Sequence, residues 1–481
     1  MSNLAVNNNP SFSFAQANKG GSAQAGAASG ANGSVSTARA QGDATALTFS
    51  MDSSRQADFN RSLSGNLNNI MNNSNLAVAV AQNGSNAKAT ATGGSQAIAT
   101  GNNGSNAIAN AANGSTSSAN ASNGSYARAL ASNFSDANSS AQNGSSARAK
   151  ADDASTASST AKNHSQANST AYVASIAEAN ANHHSKANAL ADDRKTTARL
   201  DSKAIANADN HSTANAEASN LSLAKADARN YSTANAKSDG NSSAISGAVN
   251  GSRANSTAFG RSQAKAGASN RSAANATAYH NSSAEAKASH RSNATATADW
   301  GSKAGARAQD WSRSNAGATG GSKALADSAL GSAASAQGRS HSDSLALANR
   351  GSRANSLADD GSTASAAADR FSTANTAAYF NSITQATAKN GSYAEAVGDD
   401  RHGLPIDSQA FANAENGSRA VSHAYLNSFA LTNATDGSSA NALATRGGQA
   451  AAIADDWGSA SSKAGWGRQL NYDFTQFGRP A

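Results

Sequence analysis

The chain has no cysteine in 481 residues, so neither disulfides nor thiolate metal sites are open to it. It has three prolines, and aromatic residues make up only 5%. Large apolar side chains contribute roughly 1.5–3 kcal/mol each on burial. Here alanine supplies most of the 38% hydrophobic share, so an ordinary globular core cannot be assembled. No run of about 18 apolar residues is present to span a membrane. The opening "MSNLAVNNNPSFSFAQANKGG" lacks the basic-then-apolar pattern of a secretory signal. Retention in a cytoplasm, or export by an unusual route, is therefore expected. The formal charge of +7 is spread through the chain as mixed Lys, Arg, Asp and Glu. That reads as a solvated, mildly basic surface, with no nucleic-acid partner and no membrane insertion expected.

Low hydrophobicity with abundant Ser, Asn and Gly leads to disorder unless something else supplies order. A strict period supplies it. "NGSNAKATAT" from Asn83 is followed by "GGSQAIATGN", "NGSNAIANAA", "NGSTSSANAS" and "NGSYARALAS", with serines at Ser85, Ser95, Ser105, Ser115 and Ser125. A fixed ten-residue period over most of a chain signals a repeat architecture.

Alanine favours helices, but alanines at i, i+2 and i+4 define no helical face. In a strand the same spacing puts Ser85, Ala87, Ala89 and Ala91 on one side, with Asn86, Lys88 and Thr90 facing water. Ten is even, so the inward parity survives each repeat, and Ser252, Ser302 and Ser352 belong to the same core set. Asn-Gly supplies the corner, because glycine reaches positive φ cheaply and asparagine tolerates it. Where glycine is missing the residue is often large (Phe134, His164, His184, Tyr231, Trp311, Phe371), too large for an alanine-width interior. These side chains are expected to project. Seven extended residues span roughly 23 Å, and three cannot bring the chain back. One decad is thus one side of a coil, giving two or three decads per turn, with a ten-residue coil as the alternative. The expected fold is all-β: a parallel β-solenoid, or β-helix. So thin a core points to a homo-oligomer, a threefold or twofold bundle. Two decads per turn predict a rod of roughly 95 Å, one decad per turn roughly 190 Å.

Four segments follow from the grammar. Residues 1–74 are irregular, with a helix-like stripe of Phe59, Leu63, Leu67, Ile70 and Met71, and are expected to attach or cap. Residues 75–400 carry the regular array, broken near 192–201, where the seventeen residues from Ser185 to Ser202 suggest that about three are missing. Residues 401–456 continue it after a sixteen-residue interval from Ser392 to Ser408 that contains Pro405. Residues 457–481 form an aromatic tail, a tip or cap, with Trp457, Trp466, Tyr472, Phe474 and Phe477 as candidate docking residues.

No catalytic constellation stands out, and no enzyme, cofactor or metal is expected. His164 and His184 share a repeat position and would stack on one edge if two decads make a turn. No carboxylate or cysteine set completes a metal site around them. The pairs Asp152–Asp153, Asp192–Asp193, Asp359–Asp360 and Asp399–Asp400 fall at corners, without the glycine-aspartate nonapeptide of calcium-binding β-rolls.

The Ser-x-Ala alternation with Gly/Asn corners resembles the head repeats of trimeric autotransporter adhesins and the β-helical shafts of bacteriophage fibres. The period of ten differs from the roughly fourteen of those adhesin heads. The chain also shows no heptad stalk, anchor barrel or signal. The grammar is similar, too, to curli-type functional amyloids, without their period of about twenty. The resemblance implies a structural fibre on a virion surface, for display or host attachment, with other virion proteins or a host receptor as partners. The alternative is an extracellular filament or adhesin subunit at a cell surface that polymerises with itself. A third reading, an ice-binding solenoid, is weakened by the scatter of outward threonines among charges.

Overall fold

The computed structural model describes forty-two strands between Phe12 and Lys463 and the turns joining most of them. Residues 1–11, 52–75, 193–202, 400–408 and 464–481, and stretches of one to six residues at other corners, lie outside the description. The candidate docking residues Trp457, Trp466, Tyr472, Phe474 and Phe477 fall in that group, as do Ser85, Phe134 and the Phe59–Met71 stripe. The chain divides into two compact units, Met1–Ile245 and Ser246–Ala481.

The first unit is a parallel β-solenoid with no helix among its described residues. From Leu76 onward successive strands alternate between two sheets, and each pairs with the next but one; upstream, Thr45–Met51 pairs with the strand that follows it, Leu76–Gln82, in the same sheet. Tyr126–Ser132 pairs with Ser146–Asp152, every residue facing the one twenty positions on. Asp136–Gln142, which lies between them in sequence, pairs instead with Thr156–Lys162 in the other sheet. One turn is therefore two decads, the smaller of the two numbers expected. The pairing reaches upstream of Asn75: Phe12–Asn18 pairs with Val35–Gln41, and Val35–Gln41 with Asn86–Thr92.

The break after Ser185 is corrected by the pairing. Lys186–Asp192 pairs with Thr213–Ser219 at an offset of 27 residues, so this turn holds seven residues more than the usual twenty, rather than three being missing from two decads. The reason is that the ladder sets register turn by turn: extra residues are accepted between Asp192 and Lys203 while the inward parity is kept on both sides.

The second unit repeats the plan. Arg253–Ala258 pairs with Ala273–Tyr279, and Lys303–Ala308 with Lys323–Ala329. Near Pro405 the offset is 26, from Tyr393–Asp399 to Arg419–Tyr425.

In both units burial alternates along the strands, as in Tyr126–Ser132 and Thr363–Asp369; Val421, buried between Ala420 and Ser422, is an exception. The inward residues are alanines at or near zero exposure, Ala87 and Ala89 among them. Ala91 lies in a strand, but its side chain is outside the description. The largest fully buried side chains among the described residues are Thr384, Thr432 and Ser117. With methyls and hydroxyls alone inside, the backbone ladders between turns carry much of the order. Several hydroxyls in the core meet a hydroxyl of the facing sheet, while those of Ser139 and Ser238 have no hydrogen-bond partner among the described residues. Ser159 Oγ lies 2.6 Å from Ser169 Oγ, Ser246 Oγ 2.6 Å from Ser256 Oγ, and Ser422 Oγ 2.6 Å from Thr432 Oγ1. Each of these pairs is ten residues apart, so the two hydroxyls come from facing strands of the two sheets.

Candidate functional site

Function has to be sought at the corners and outward faces, because the interior is closed. Each described corner turns through two consecutive residues of positive φ and then a serine. Asn163 and His164 have φ of 53° and 62°, Asp310 and Trp311 53° and 62°, Asn390 and Gly391 55° and 73°. Left-handed backbone costs an L-residue roughly 1–2 kcal/mol. Asparagine and glycine lower that cost, which explains Asn-Gly as the commonest corner.

The serine closes the corner. Ser125, Ser145, Ser165, Ser185 and Ser212 form a buried row in the first unit, each donating its backbone N–H to the hydroxyl of the next, at 3.0–3.2 Å. In the second unit Ser252 to Ser418 form an equivalent row, and Ser282 to Ser342 another at the opposite corner. Ser252, Ser302 and Ser352 are thus buried, as their parity requires. The hydroxyl also donates: Ser302 Oγ to the carbonyl of Asp299 at 2.6 Å, and Ser352 Oγ to that of Asn349 at 2.7 Å.

Where the same outward residue recurs at one position of successive turns, it stacks on its own kind. Asn188, Asn215 and Asn235 each donate Nδ2 to the asparagine one turn earlier, at 2.6–2.7 Å. At the corners of the Ser125 row, His164, His184, His211 and Tyr231 form a continuous stack, with centroids 5.2, 5.2 and 5.5 Å apart and planes within 12°. The stacking of His164 on His184 follows from two decads per turn. Its extension to His211 needs the 27-residue turn, which hid it in the sequence.

Large corner residues do project: Trp311 is 74% exposed and Phe371 82%. Each lies against the glycine of the following turn. A Cβ on Gly331 would sit 3.0 Å from the Trp311 ring, and one on Gly391 2.9 Å from that of Phe371.

Ion pairs also run between turns: Lys237–Glu217 at 2.9 Å, Arg307–Asp327 at 3.1 Å and Lys389–Glu415 at 2.8 Å. The Glu415 bond raises the Lys389 ammonium above its ordinary value. The bond from Lys287, 2.7 Å away, holds Glu285 below the usual carboxylate range. Burial, reinforced by the Glu395 charge, pushes Tyr393 up.

Among the described residues no group of three or more His, Asp or Glu is placed to hold a metal ion. Of the four aspartate pairs only Asp359–Asp360 lies wholly within described side chains. Comparison with protein families, with curated proteins and with solved structures finds no match for the chain.

Proposed function

We propose that the chain is a structural protein, a β-solenoid shaft of a bacteriophage fibre or appendage used for surface display or host attachment. The observation that carries this reading is the division of labour within each decad. Serine and alanine are spent on the closed interior, while the outward positions vary freely on an unchanging backbone. That is the economy of a scaffold rather than of a reaction centre. Side-by-side association of two or three chains fits the same reading. Leu325 and Leu345 are neighbours on one outward face at 40% and 37% exposure, and Ile383, on the same sheet, is at 42%. A shared interface would cover such residues.

A second reading, a self-assembling extracellular filament, draws on a different observation. Asparagine ladders and stacked rings repeat identically from turn to turn, and such contacts extend between copies as readily as within one. Negative-stain electron microscopy with solution mass separates the two. Rods of one length and a dimeric or trimeric mass are expected for the fibre. Filaments whose length grows with concentration would replace it with the polymer, and a monodisperse monomer without rods would remove both.

A further inference from the structure

In the second unit the two rows of corners between 250 and 373 are chemically unequal. Seven turns of the Ser252 row, read as the two left-handed residues, the serine and the residue after it, run NGSR, NRSA, HRSN, DWSR, LGSA, RGSR and RFST from 250 to 373. They hold seven arginines (Arg253, Arg271, Arg291, Arg313, Arg350, Arg353, Arg370), no lysine and one acid, Asp310. The described residues of the opposite corners GRSQ, HNSS, WGSK, GGSK, SHSD and DGST, from 260 to 363, hold three cations and two acids. Two of these, Lys323 and Asp343, are paired at 3.6 Å.

The arginines are exposed, and backbone bonds such as Arg271 N–H to the His290 carbonyl and Arg291 N–H to the Asp310 carbonyl stack their corners in line. Among the described residues only Arg370 of the seven has a carboxylate within 4 Å, its neighbour Asp369 at 3.8 Å. Turns repeat about every 4.8 Å, so the row is an edge about 30 Å long that carries seven guanidinium groups, with none at the corner of Leu330–Ala333. Like charges so aligned repel unless a counter-charge is shared among them.

We propose that this corner row binds a linear anionic polysaccharide, one carrying a carboxylate or sulfate at each sugar or alternate sugar. Arginine forms bidentate pairs with such groups, and its exclusive use here fits that geometry. The exposed Trp311, between Arg291 and Arg313, offers an apolar face for the C–H side of a sugar ring. Single-stranded nucleic acid is served less well. Base stacking needs successive aromatic platforms along a cationic groove. Here Trp311 and Phe371 are three turns apart and stand on corners, each with one face laid on a glycine. The proposal does not depend on the fibre reading.

The test is binding of the full chain to polygalacturonate, and separately to a thymidine oligonucleotide, by titration at several salt concentrations. Arg271→Asn, Arg291→Asn, Arg313→Gln and Arg353→Gln are combined; asparagine suits the two left-handed sites. Binding of polygalacturonate that falls with salt, and at least tenfold on the combined change, is expected. Arg261→Gln, Lys303→Gln and Lys323→Gln, together on the opposite corner, should change it less than twofold. If the fourfold variant loses its β-sheet circular dichroism, the strand pair Arg313→Gln and Arg353→Gln should still weaken binding at least threefold. No binding by the native chain, equal losses at both corners, or tighter binding of the oligonucleotide would each overturn the proposal.

Discussion

The corners of the Ser125 row in the first unit and those of the Ser252 row in the second share a backbone and a few asparagine contacts, such as Asn270 to Asn250 at 3.2 Å, and differ in most of their other side chains. In the first the left-handed pair is Asn-Gly, Asn-His, His-His or Asn-Tyr, and the side chains satisfy one another. Asn143 donates to Asn123 at 3.1 Å, Asn163 to Asn143 at 3.0 Å, and the rings from His164 to Tyr231 stack. In the second the pairs include Asn-Arg, His-Arg, Asp-Trp, Arg-Gly and Arg-Phe, and the side chains point their charge outward. The serine ladder beneath is the same, with N–H to Oγ distances of 3.1 Å at Ser252 and at Ser125. A corner is thus held from below by serine and the ladder, which frees the two residues above it to be chosen for what they meet.

The strongest challenge to that view is a change in the layer both units share. Ala129 and Ala296 are fully buried. Ala129→Leu and Ala296→Leu should each destabilise by about 1–3 kcal/mol or more, because overpacking has no void to relax into. Chemical denaturation measures it, and a clear inequality between the units would show that their interiors are not built alike.

Ser165→Ala and Ser312→Ala come next. Each removes the hydroxyl that accepts the N–H of the preceding serine, Ser145 or Ser292, and leaves a buried donor unsatisfied. A loss of about 1–3 kcal/mol is expected in both units. If the corner residues rather than the serine held the turn, the two losses would differ.

Gly391→Ala should cost about 1–2 kcal/mol, since φ is 73° there and the new methyl meets the Phe371 ring. Phe371→Gly removes that ring and also relieves a left-handed L-residue, so the double variant should recover part of the loss. Additive losses in the cycle would mean the ring does not matter to the glycine. His184→Gly is expected to be close to neutral, because relief of left-handed strain offsets the loss of two stacking contacts worth about 0.5–1.5 kcal/mol.

The smallest effect is electrostatic. Glu285 is held below its ordinary value by Lys287, so their contact stabilises the fold above the usual carboxylate range and is lost as pH falls through the lowered value. Lys287→Ala should return the Glu285 titration, followed by carboxyl NMR, to the ordinary range with little change in stability. No shift on substitution would assign the lowering to Lys265 or Arg307 instead.

Much of the fold was legible because the interior is written almost wholly in alanine and serine with an even period. Alternation of Ser and Ala specified strands, faces and corners, and large residues such as Trp311 and Phe371 could only lie outside. The count of two decads per turn narrowed two expectations to one. The meaning of the interval after Ser185 was not legible, because spacing between serines does not reveal which strands pair; only the 27-residue offset between Lys186 and Thr213 does. The arginine row escaped for the same reason. Arg253, Arg271, Arg291 and Arg313 are about twenty residues apart, so as a sequence they look diluted among asparagine and serine, and no basic run appears.

What the sequence determined by itself is therefore local and repetitive: strand, corner, inward serine and alanine, outward everything else. These follow from the pleat and from backbone sterics, which act over two to ten residues. The tertiary structure decided which decads become neighbours. Coiling by two brings residues twenty apart to within one rung, and that alone turns scattered histidines into a stack, asparagines into a ladder and arginines into a line of charge.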